Sequence, residues 1–211
     1  MEQKDRPSRP GRSDSYATYE HKPVKGHIWG VNWAELHSGH GSEACHGGGI
    51  LKKAAKVEAG KSAAKQIELA LSRFDPAVAR LVASSRRVLR KRFPTAIEQV
   101  YDNYNFFVIG FCTTERTSDC IVSLAASAKG VALSFYYGAA LPDPHKVLLG
   151  SGKQNRFVRL ESTATLSDPR VVALIDAAAA QAKTPLPSTG KGHTMIKSVS
   201  ARQRPRGKAV N

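Results

Sequence analysis

No part of this chain stays apolar for the ~20 residues that a membrane span needs, and the apolar run Phe106–Phe111 stops far short of that length. Its start carries no cationic segment followed by an apolar stretch, so no secretory leader is expected. Cysteine is scarce: there are three, at 45, 112 and 120, an odd number with no CxxC pair. A disulfide-stapled secreted scaffold is thereby excluded, and the chain reads as a soluble protein of a reducing compartment, the cytoplasm. Acidic side chains are missing altogether from residues 183–211. Aromatic residues make up 7% of the chain and are not interleaved in sequence with the basic runs, so no stacking platform for nucleic-acid bases can be read from it.

What is present is positive charge, and its placement matters more than its total. The net charge is +15. Residues 1–66 contribute +4, residues 67–182 another +4, and the short segment 183–211 contributes +7. Almost half of the excess therefore sits on the last 29 residues. Apolar residues are 41% of the chain, a normal globular share, but they fall into periodic blocks only between Ile67 and Lys183.

Three regions follow. Residues 1–61 read as a disordered, basic N-terminal tail, because Pro, Gly and charged residues interrupt any helical or alternating period. Within it the composition steps at Gly49-Ile50-Leu51, and residues 1–50 read as an over-long gene start. Residues 62–183 read as one α+β domain. Residues 184–211, rich in Pro, Gly, Lys and Arg, read as a disordered basic C-terminal tail.

Inside the domain, Ile67, Leu71 and Phe74 recur at helical spacing. Asp75-Pro76 then offers an N-cap and a first-turn proline to a second helix. Its stripe runs through Val78, Leu81, Val82, Ser85, Val88, Leu89 and Phe93 and ends in the cations Arg86, Arg87, Arg90, Lys91 and Arg92. Pro94 stops it. Four strand-like runs follow, Ala96–Tyr101, Asn105–Phe111, Cys120–Ser127 and Val131–Tyr137, joined by connections short enough for antiparallel hairpins. In the third run, alternation puts Cys120, Val122 and Leu124 on one face. A fifth strand, Arg156–Glu161, and a last helix capped by Ser167-Asp168-Pro169 complete an antiparallel sheet of about five strands with helices packed on one side.

Several motifs dissolve on inspection. Ala55–Ser62 fits a permissive phosphate-loop pattern, but no buried strand precedes it and its first glycine is alanine. His37, His40, Cys45 and His46 are possible zinc ligands without the second spaced pair that a zinc knuckle requires. Cys112 and Cys120 flank a hairpin and read as buried small hydrophobes. No nucleophile, acid–base pair or metal set is positioned by spacing, so neither an enzyme nor a cofactor is expected.

Tyr101-Asp-Asn-Tyr-Asn105 is harder to dismiss. The bland account is a turn held by Asp and Asn side chains. The functional one is a polar cleft formed by Tyr101, Asp102, Asn103 and Tyr104 opposite Lys153, Gln154 and Arg156, with Arg156 able to grip an anionic group of a small polar ligand.

The stretch from about Lys53 to Lys183 resembles the YdhG-like family of bacterial domains of uncharacterised activity, of the same fold class as YjbR- and frataxin (CyaY)-like proteins. The match rests on Phe74-Asp-Pro76, Arg92-x-Pro94, Tyr101-Asp-Asn-Tyr-Asn105, Ile109-Gly-Phe111, Glu115-x3-Asp119, Gly138-x2-Leu141-Pro-Asp-Pro144 and the block Leu148–Glu161. The resemblance implies a compact α+β domain and carries over no activity, cofactor or catalytic residue. Many members have a Gly-x-Pro segment near the second strand, where this chain has Tyr104-Asn105-Phe106. Two functions stay open. One is a non-catalytic module binding a small polar molecule or a protein. The alternative is a nucleic-acid-associated protein that binds electrostatically through the basic tail and the basic end of the second helix, an option the likeness of YjbR-like folds to double-wing DNA-binding modules favours.

Overall fold

The computed structural model describes residues 62–207. Helix α1 spans Ala63–Leu71, with the Ser62 hydroxyl accepting from Lys65 N, and α2 spans Pro76–Arg92, with the Asp75 carboxylate accepting from Ala77 N. These caps satisfy amide groups that have no partner inside the helix. Arg90, Lys91 and Arg92 fall in the last turn of α2, where the helix dipole favours cations. Helix α3, Pro169–Ala180, repeats the Asp-Pro start with Asp168 as its cap.

The strands are β1 Ile97–Asp102, β2 Phe107–Cys112, β3 Cys120–Ser127, β4 Gly130–Phe135, β5 Arg156–Leu160 and β6 Thr194–Val199. They form one sheet of six strands in the order β5-β4-β3-β2-β1-β6. β1 to β5 are an antiparallel meander, β1 to β4 through short connections and β4 to β5 through the long loop 136–155. β6 lies parallel to β1.

Alternation along the strands divides the side chains between two faces. Val100, Phe107, Ile109, Phe111, Val122, Leu124, Leu133, Phe135 and Val158 point toward the helices and make the main core with Phe74, Val82, Leu89, Leu174 and Ile175. The second face holds smaller side chains, with Tyr101, Val108 and Ala125 packed together and Ala132 beside Phe157, and Phe106 leans on both groups. The α+β architecture with helices on one side is as the sequence suggests.

Two expectations are corrected. The segment after Lys183 is not a loose tail throughout: residues 194–199 add a sixth strand and Arg206 is buried. The reason is charge. Strand β1, which without β6 would be the sheet edge, carries Glu98 and Asp102 on its helix-facing side, both buried, and the C-terminal segment supplies partners that close both sites. Nor does Cys120 share a face with Val122. A β-bulge between Phe111 and Cys112 pairs Cys112 with Cys120, putting Ile121 as well as Val122 in the helix-side core. The N-terminal tail, the histidine cluster and all of the phosphate-loop-like segment but Ser62 lie outside the described residues. Among the described residues no helix is long and apolar enough to cross a membrane.

Candidate functional site

The sheet register separates the two loops from which a polar cleft was expected. Asp102 pairs with Phe107, Phe107 with Ala126, Ala126 with Val131 and Val131 with Leu160, so the 101–105 turn lies at the end of the sheet where β5 finishes. Arg156 opposes Phe135 at the other end, with β2, β3 and β4 between β1 and β5. A cleft joining Tyr101, Asp102, Asn103 and Tyr104 to Lys153, Gln154 and Arg156 therefore does not form. Arg156 is spent inside its own loop, its guanidinium donating to the carbonyls of Gly152 and Asn155. Gln154 offers its carbonyl to Ala139 N at 2.8 Å, and Lys153 is exposed.

The 101–105 turn is instead built against the C-terminal segment. Arg206, 3% exposed, lies beside Asp102, with Nη1 to Oδ1 2.5 Å. Its guanidinium covers the Phe74 ring at 5.0 Å and donates from Nη2 to the Asn103 carbonyl at 2.7 Å. Arg73 reaches the second Asp102 oxygen at 3.2 Å. Burial lowers the Arg206 pKa, and the Asp102 charge opposes that shift. Ser198 donates to Asn103 Oδ1 at 3.0 Å, and Ser200 N and Arg204 N donate to the carbonyls of Asp102 and Tyr104. Asp102 and Asn103 are thus the socket for the segment rather than a ligand cleft.

A second socket lies at the other end of β6. Glu98, 1% exposed, accepts from Arg86 Nη2 at 2.6 Å and pairs with Arg90. The Thr194 hydroxyl donates to the same carboxylate at 2.6 Å, and Arg90 Nη2 donates to Gly192 O at 3.0 Å. Arg92 pairs with Asp176 on α3. The basic end of α2 is therefore not one free phosphate-binding patch: Arg86, Arg90 and Arg92 are engaged with carboxylates, while Arg87 and Lys91 are exposed.

What remains outward along this edge is cationic. Lys191, Lys197, Arg202 and Arg204 are exposed on the docked segment, and Arg87 and Lys91 stand beside its start. Six residues of strand at ~3.3 Å each make this edge ~20 Å long. At its far end Tyr104, 49% exposed, lies under the Arg204 guanidinium at 5.8 Å from the ring centroid. Sequence order hides that contact, because a hundred residues separate the two partners.

The second face of the sheet holds the rest of the notable polar chemistry. Tyr101 OH donates to Gln99 Oε1 at 2.8 Å and lies 2.9 Å from the Thr117 hydroxyl, while Gln99 Nε2 donates to Thr114 O at 3.0 Å. Burial pushes the Tyr101 phenol well above its ordinary range. The hydrogen bond to Cys120, with burial, pushes the Cys112 thiol up too. Neither group ionises near neutral pH while the fold is closed over it, so neither offers a base or a nucleophile unless the 113–119 loop opens. Among the described residues no group of three or more His, Cys, Asp and Glu side chains could hold a metal ion. A recess of about 20 Å³ between Tyr137 and the end of α3 has room for little more than a water.

The chain matches no protein-family model, no curated protein and no solved structure in comparisons with known proteins.

Proposed function

We propose that this chain is a YdhG-like, non-catalytic binding module of the bacterial cytoplasm whose recognition surface is the cationic β6 edge, and that its partner is the phosphate backbone of single-stranded nucleic acid. The observation that carries the reading is the juxtaposition at the end of that edge. An exposed tyrosine sits under an arginine of the same docked segment that carries the exposed Lys191, Lys197 and Arg202. Cations along a groove or edge track a phosphate chain, and an aromatic face beside them accepts a base by stacking; such sites tolerate many sequences. The acidic residues that could have neutralised the edge, Glu98 and Asp102, are turned inward and paired.

The nucleic-acid reading thereby moves from a tail and a helix to a folded edge. It is favoured over a small-ligand cleft because the loops proposed for that cleft lie at opposite ends of the sheet. Titrating a short single-stranded oligonucleotide into isotope-labelled full-length chain tests it by chemical-shift mapping. Shifts concentrated at Tyr104, Lys191, Lys197 and residues 202–204 are expected. Shifts confined to the β3–β4 turn and the β5 edge would contradict it.

A further inference from the structure

β2 and β3 leave register at one point. Phe111 opposes Val122, yet the next pair is Cys112 with Cys120, so Ile121 is the extra residue of a bulge. In unbroken register Cys112 would oppose Ile121, and Cys120 would fall across from Thr113. The bulge turns Cys120 onto the second face, directly opposite Cys112, and places Ile121 in the helix-side core. Gly110 precedes them on the same face. A Cβ there would lie 3.0 Å from Cys120 Sγ and 3.5 Å from Cys112 Sγ, so both sulfurs occupy the space above one glycine. The neighbouring Cys120 thiol, with burial, pushes the Cys112 thiol up, and Cys120 Sγ donates to Val122 O at 3.2 Å.

Directly opposed residues of an antiparallel pair have Cα atoms ~4.5–5.5 Å apart, within the ~4.4–6.8 Å that a disulfide spans. We propose that Cys112 and Cys120 are a reversible cross-strand disulfide site, oxidised by a small-molecule disulfide. The Cys120 thiolate attacks one sulfur of the reagent and expels one thiolate, forming a mixed disulfide. The Cys112 thiolate then attacks the Cys120 sulfur and expels the second. Two cysteine thiols are oxidised, one reagent disulfide is reduced to two thiols, and the two cysteine protons end on them. Cys120 goes first because it is the more exposed of the two, at 5% against 1%, and begins its strand straight after the 113–119 loop. That loop is closed by Thr113 N donating to Asp119 O, by the Thr114 hydroxyl donating to the Asp119 carboxylate at 2.6 Å and by Lys197 Nζ donating to Glu115 O at 3.1 Å. Attack therefore requires the loop to open, and the new bond then fastens its base.

The test is oxidation of the full-length chain with oxidised glutathione, read by intact mass and by a tryptic map without reductant. Trypsin cuts at Arg116 between the two cysteines, so a disulfide leaves their peptides joined. The expected product is ~2 Da lighter than the reduced chain, contains the Cys112 and Cys120 peptides linked together, and reverts with reductant. Cys112→Ser should stop at the mixed disulfide on Cys120, and Cys120→Ser should leave Cys112 unmodified. In the natural chain, linkage of Cys45 to either cysteine in place of the 112–120 pair would overturn the proposal. So would glutathione adducts with no 2 Da loss from Cys45→Ser, and so would thiols that react only once urea has unfolded the chain.

Discussion

Asp102 shows how the meaning of a residue depends on what folds onto it. In sequence it is the centre of a polar turn and invites a ligand. In the fold it is buried between Arg73 and Arg206, its negative charge balanced by a guanidinium that stacks on Phe74. Removing one partner of a buried pair leaves the other charge uncompensated, which costs about 3–5 kcal/mol. Asp102→Ala should therefore lower unfolding free energy in urea by about that amount, while Arg159→Ala, on an exposed position of β5, should leave it nearly unchanged. Equal small effects from both would contradict the socket assignment.

The second face predicts a pH dependence. Tyr101 and Cys112 both have raised folded pKa values, the phenol chiefly through burial and the thiol through its Cys120 neighbour and then burial. Below the ordinary thiol pKa of ~8.5 both are protonated in the folded and unfolded chain, and their contribution is complete. Above it the unfolded thiol loses its proton first, followed near pH ~10 by the unfolded phenol, and stability falls with rising pH until the folded groups also titrate. Urea melts from pH 7.5 upward should show that decline, and Cys112→Ala should remove its first part. Stability that rises through this range would contradict the burial of these groups.

At the scale of elements, the helices were legible because their signals are local. Asp75-Pro76 and Asp168-Pro169 mark starts, Pro94 marks an end, and apolar spacing fixes the buried stripe. The pairing of β1 to β4 was equally legible, since their short connections leave little choice of partner. β6 was not. Thr194–Val199 contains apolar and β-branched residues, but Pro, Gly and Lys on both sides hide them in any window average. Its docking is decided by distant partners, Glu98 and Asp102 on β1, which no local pattern reports. The bulge at Cys120 was illegible for a related reason: strand alternation assumes unbroken register, and the extra Ile121 is tolerated because the helix-side core has a place for it.

Two predictions belong to this scale. Gly192 N donates to Pro94 O at 2.8 Å, and a Cβ on Gly192 would lie 1.9 Å from the Ala96 carbonyl oxygen. Gly192→Ala must therefore push β6 away from β1, and a loss of about 1–3 kcal/mol is expected. Ending the chain after Lys183 removes the strand and both sets of polar partners. Its melting temperature should fall by roughly 10 °C or more. A shortened chain that melts with the full-length one would mean that residues 184–207 contribute nothing to the fold.

For the molecule as a whole, the net charge of +15 is less informative than its sorting. Carboxylates on β1 hold the structural arginines of the α1–α2 turn, α2 and the C-terminal segment, whereas Lys191, Lys197, Arg202 and Arg204 are left exposed on the docked segment. The candidate site was half visible in the sequence. The basic segment and Tyr104 were both apparent there, but their contact depends on a parallel strand that brings position 204 beside position 104.

The most direct measurement is the salt dependence of affinity for a short single-stranded oligonucleotide, by fluorescence anisotropy. Full-length chain is compared with a variant in which Lys191, Lys197, Arg202 and Arg204 are all changed to Gln, leaving the structural arginines in place. Each phosphate neutralised contributes about 0.7 to the slope of log affinity against log salt for single strands. The account predicts a steep slope for the natural chain and one shallower by about 3 for the variant, whose melting temperature falls only by what the Lys197 bond to the Glu115 carbonyl contributes. Equal affinities and equal slopes for the two chains would contradict it.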